Sequence, residues 1–120
     1  MIKTLRDQLA KDLDVLGVPV ANGWPDRITP PVLLVVPPAS AVHVTAGPNF
    51  TEYTVALDVV VLAGKASPAL ALNALEELVE GVLSNTVDWS LSGVDSPSLV
   101  TISGTEYLGT VVHLSKPTRL

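Results

Sequence analysis

The chain has 120 residues, enough for one compact domain with a real core, and its seven basic and twelve acidic side chains leave a net charge of −5. That balance disfavours phosphate backbones and anionic membranes as partners. Charged residues make up 16% of the chain against 48% hydrophobic, with a mean hydropathy of +0.45, yet the longest apolar runs, 32–36 and 59–63, fall far short of the ~20 residues a membrane span needs.

In chain order, Ile2, Leu5, Leu9, Leu13 and Leu16 recur at spacings of three and four, with Lys3, Arg6, Asp7, Lys11 and Asp12 off that stripe. The spacing predicts an amphipathic helix that stops at Gly17, a C-terminal cap glycine, with Pro19 just beyond. The first ten residues lack the apolar core of a signal peptide, so synthesis in the cytoplasm is expected. Asn22-Gly23-Trp24-Pro25-Asp26 is turn chemistry leading to Arg27.

The pentamer Val32–Val36 lies between Pro30-Pro31 and Pro37-Pro38. Proline lacks an N–H and fixes φ, so this strand has firm limits at both ends. Residues 37–50 form a long connection in which 41–45 reads as a short strand, closed by Gly47-Pro48-Asn49.

Residues 51–62 read as the longest strand. Tyr53, Val55, Leu57, Val59 and Val61 fall on one side and Glu52, Thr54, Ala56 and Asp58 on the other, which turns apolar at Val60 and Leu62. Ser67-Pro68 then supplies an N-cap and a proline at the first helical position. Leu72, Leu75, Val79 and Val82 form the apolar face of the second helix, with Leu78 and Leu83 flanking and Asn73, Glu76, Glu77 and Glu80 largely across from it. Ser84-Asn85 ends it. Residues 98–103 and 106–115 flank Gly104 as a hairpin. The expected architecture is a single α+β domain over residues 1–120: a mostly antiparallel sheet with two helices packed on one face.

Residues 66–115 hold six acids (Glu76, Glu77, Glu80, Asp88, Asp95 and Glu106) and no Lys or Arg, so one face should be negative. Catalytic chemistry is hard to find. Cysteine is absent, which excludes disulfides and thiolate metal sites. His43 and His113 are the only histidines, and no nucleophile or further ligand is spaced to join them, so no catalytic, metal or cofactor site is expected. His113 alternates with Val112 and Leu114 and is read as lying on the polar side of a strand. Asp58 interrupts an apolar strand; buried, it would need a partner, but its side of the strand is read as exposed. Asn49-Phe50-Thr51 matches a glycosylation sequon, without meaning in a cytoplasmic protein. Trp24 and Trp89, each beside turn residues, are read as core or capping contacts.

The element order and the segment Asp26-Arg27-Ile28-Thr29-Pro30-Pro31-Val32-Leu33-Leu34-Val35-Val36-Pro37 resemble the tail terminator proteins of long-tailed bacteriophages, those of actinobacterial hosts in particular. Glu52-Tyr53-Thr54-Val55-Ala56-Leu57-Asp58-Val59-Val60, an alanine- and leucine-rich helix and a closing hairpin with Glu106-Tyr107-Leu108 extend the likeness over nearly the whole chain. The resemblance implies a structural virion protein, assembled in the host cytoplasm, that catalyses nothing and uses no cofactor. Copies would form a ring, commonly a hexamer, on the head-proximal end of the tail, where it ends polymerisation of the major tail tube protein and docks head-completion or connector proteins. DNA would pass through without specific binding, and no membrane is involved.

Under that resemblance the expected subunit or partner contacts are Val42, His43, Val44 and Phe50 in the long loop, and Lys116 and Arg119 in the short basic tail 116–120. Glu76, Glu77 and Glu80 are the expected acidic channel face. A head-completion or connector role for the same small α+β type and a non-phage protein-binding module stand as alternatives. A ligand-binding or enzymatic domain fits less well, because the second half is poor in His, Lys and Arg.

Overall fold

A computed structural model describes residues 2–39, 42–47, 51–64, 67–102 and 104–119. The first helix, α1 (Ile2–Leu13), continues into a 3-10 turn (Asp14–Leu16) that closes at Gly17, whose φ of 77° is one that side-chain-bearing residues rarely adopt. Strands β1 (Val20–Asn22), β2 (Val32–Val36), β3 (Val44–Ala46) and β4 (Glu52–Leu62) follow, then helix α2 (Pro68–Ser84), then β5 (Ser90–Val94), β6 (Ser98–Ile102) and β7 (Thr105–Arg119). The α+β architecture, mostly antiparallel with both helices on one face, is the one expected.

The sheet runs β1-β2-β4-β7-β5, with β3 beside the first half of β4 and β6 beside the first half of β7. Among the described residues, only the β1–β2 pairing is parallel. Its spine is the β4–β7 ladder, in register from Glu52 opposite Arg119 to Leu62 opposite Gly109. Strand alternation then sorts the side chains. Leu33, Val35, Val55, Leu57, Val59, Val61, Val112 and Leu114 face the helices and pack with Leu9, Leu13, Leu75, Val82 and Trp89. Val32, Leu34, Val36 and Leu62 face the other way, into a smaller cluster roofed by Ile28 of the β1–β2 connection and by Val100 and Ile102 of β6. The proline-bounded pentamer is therefore buried on both sides.

Several expectations are corrected. Asn22, expected to open a turn, ends a strand over residues 20–22, and residues 90–94, for which the sequence predicts no element, form another; neither carries an apolar run, and each exists because a longer strand offers it a ladder. The tail is not free: β7 runs to Arg119, since the length of β4 gives residues 116–119 a partner. Leu72 lies off the buried face of α2, which is centred on Ala71, Leu75, Leu78 and Val82, at spacings of four, three and four that place Leu72 about 100° away. Trp89 is in the core as expected, whereas Trp24 is 65% exposed in the turn after β1.

Candidate functional site

The residues expected to form contacts do not converge. Val42 is exposed, but His43 is tied back to β4: its Nδ1 donates to the Ala56 carbonyl at 2.8 Å, and the Ala56 N–H donates to the His43 carbonyl at the same distance. Val44 packs against the main core, and Phe50 lies outside the described residues. The Lys116 ammonium sits 5.7 Å from the Trp89 ring centroid, a cation–π distance, and Arg119 Nη2 donates to Glu52 Oε1 at 2.6 Å. Both basic side chains of the tail are thus engaged within the protomer. The Arg119–Glu52 pair is largely solvent-exposed on the arginine side, so Arg119→Ala should change unfolding free energy by no more than about 1 kcal/mol, measured by urea denaturation.

The three glutamates are exposed on α2 but divide between two grooves. Glu77 borders an open, mostly apolar groove of about 480 Å3 with Leu16, Val18, Pro31, Gly64, Ala74 and Leu78, on the β1–β2 side. Glu76 and Glu80 border one of about 240 Å3 with Leu75, Val79, Val94, Asp95, Pro97 and Thr110, on the β5 side. Adjacent positions on a helix point about 100° apart, which is why neighbouring glutamates serve different surfaces.

The best-organised polar cluster is one that sequence reasoning set aside. Asp58 is only 6% exposed, against the expectation of an open strand face, because it is flanked by β2 and β7 and its carboxylate is covered by the His113 ring. It stands opposite His113 in the β4–β7 register, and His113 Nδ1 lies 2.7 Å from Asp58 Oδ1. On the other edge of the ring, Nε2 lies 2.8 Å from Asp95 Oδ1. Asp95 immediately follows β5 and is anchored besides by its N–H, which donates to the Val111 carbonyl, and by its carbonyl, which accepts from the Thr110 hydroxyl. The hydrogen bonds that the ring makes to Asp95 and then to Asp58 outweigh desolvation and raise the His113 pKa above its ordinary value of 6.5. The signal in the sequence was the odd polar residue in each of two long apolar strands; what the sequence could not supply was that they are neighbours.

This arrangement leaves neither ring nitrogen open to a substrate or an ion. A general base needs one nitrogen facing its proton donor, whereas both are occupied here by carboxylates. Among the described residues, no group of three or more His, Asp and Glu side chains is placed to hold a metal ion. No family model matches the chain, and no curated protein matches it.

What remains conspicuous is uncovered apolar surface. Leu91 is 51% exposed and Leu99 67%, and with the partly exposed Val94 they are spread along the β5–β6 margin of the sheet. Leu70, 63% exposed, stands one helical turn before Ala74 on the α2 face that borders the groove of Ala74 and Leu78. Because β1 and β5 are opposite ends of the strand order, the larger groove and the β5–β6 margin lie towards opposite edges of the protomer.

Proposed function

We propose that this protein is a structural component that joins copies of itself into a ring, acting as a tail terminator in the phage virion: it caps the head-proximal end of the tail tube, stops the tube protein from adding further, and presents a surface to head-completion or connector proteins. The observation that carries this reading is the pair of unlike apolar surfaces on opposite edges of one open sheet. Apolar patches of this kind mark contact surfaces. Two patches that differ cannot meet isologously, and heterologous contacts between identical chains close into rings when the rotation permits. The low charge content supports the same reading, since each protomer in a ring hides two of its sides. Exposed carboxylates on α2, with no Lys or Arg from residue 66 to residue 115, suit a passage that DNA must traverse without adhering.

Sedimentation and native mass spectrometry test this. The wild type should give a discrete ring, alone or on addition of the tail tube protein, and Leu91→Asp with Leu99→Asp should give folded protomers that neither associate nor end tube growth. A wild type that stays monomeric under both conditions, or a double variant that associates normally, would overturn the proposal.

A further inference from the structure

We propose that His113 is a proton-operated clasp: as an imidazolium it ties the connection after β5 to the buried Asp58 on the central strand, and on losing a proton it releases Asp95 while keeping Asp58. This goes beyond the ring reading and does not depend on it, because every part of the device lies within one protomer.

The protonation state follows from the partners. An ionised carboxylate can only accept hydrogen bonds, and both ring nitrogens face carboxylate oxygens at 2.7 and 2.8 Å, so both must donate. Charge-assisted bonds of this length are the strong kind. The charged groups that bear on the ring are Asp58 from β4 and Asp95 from the chain leaving β5, and together they favour the cation.

The direction of release follows from burial. Neutral histidine has a single N–H and must choose. Leaving Asp58 unpaired strands a carboxylate whose side chain is 8% exposed, whereas Asp95, at 56%, can turn to water at little cost. The neutral ring therefore keeps its proton on Nδ1, the tautomer that free histidine disfavours. Asp95 retains its backbone anchors to Val111 and Thr110, so release loosens the β5–β6 connection without unfolding it. Stabilisation by the clasp is complete below the ordinary histidine value of 6.5 and is lost as pH rises through the higher folded value.

Nitrogen-15 and proton NMR of the full chain tests both parts, with only His43 and His113 to assign. His113 should titrate above the ordinary value and emerge as the Nδ1–H tautomer, and amide exchange at Asp95, corrected for the intrinsic rise with pH, should accelerate at least about threefold across that titration. In Asp95→Asn, a change at an exposed side chain that leaves the core intact, the midpoint should fall and the pH-linked change in exchange should vanish. Titration at or below the ordinary value, an Nε2–H tautomer at high pH, or an Asp95→Asn protein that titrates like the wild type would each overturn the clasp.

Discussion

Replacing Leu57 by alanine should lower the unfolding free energy by about 2–5 kcal/mol, the largest single loss expected from one truncation. Leu57 is fully buried at the middle of β4, opposite Leu114, in the cluster that both helices cover with Leu9, Leu13 and Leu75. Its removal costs the transfer of its own methyl groups and leaves a cavity that the rigid ladder on either side cannot collapse to fill. Chemical denaturation at unchanged m-value measures it. Leu72→Ala is the matched control: equally apolar in sequence but partly exposed on α2, it should cost under about 1 kcal/mol. Equal losses at the two sites would contradict the face of α2 described above.

Gly109→Ala should also be strongly destabilising, by about 1–3 kcal/mol, through overpacking. A Cβ at this position would stand 2.6 Å from Leu62 Cδ2, 3.2 Å from the Val61 carbonyl oxygen and 3.4 Å from Val100 Cγ2. The glycine lets β6 fold its Val100 down onto Leu62, so it is what allows the smaller cluster to close at the end of the β4–β7 ladder. The carbonyl is backbone and cannot move aside, whereas the Leu62 methyl can. A double-mutant cycle separates the two: Gly109→Ala combined with Leu62→Ala should cost less than the sum of the single losses, because the shortened side chain vacates the space the new methyl needs. Strict additivity would mean that the Leu62 methyl is not the cause and would leave the clash to the Val61 carbonyl.

The two regions also differ in what a reader of the sequence sees. Leu57 announces itself by alternating with Val55 and Val59, and a residue this far inside an apolar strand has few alternatives to burial. Gly109 says nothing locally, because it sits in Tyr107-Leu108-Gly109-Thr110-Val111 with no turn signal, and its reason is a side chain from another strand. The same division separates Glu77 from Glu76 and Glu80: a run of acids is visible in the sequence, but which groove each one borders depends on how α2 is rolled on the sheet.

By itself the sequence determined the elements whose signals are short-range. The stripe from Ile2 to Leu16 with its cap at Gly17, the proline-bounded Val32–Val36, the alternation along β4, the start of α2 at Ser67-Pro68 and the turn at Gly104 are each written within a few residues, because helix and strand periodicities and caps act over one or two turns of chain. Tertiary structure alone decided that residues 90–94 form a strand, that Lys116 and Arg119 are engaged by Trp89 and Glu52, and that Asp58 is closed in and answered by His113. Those outcomes depend on the register of β4 against β7, and register is set by the summed burial of a whole ladder rather than by any residue within it.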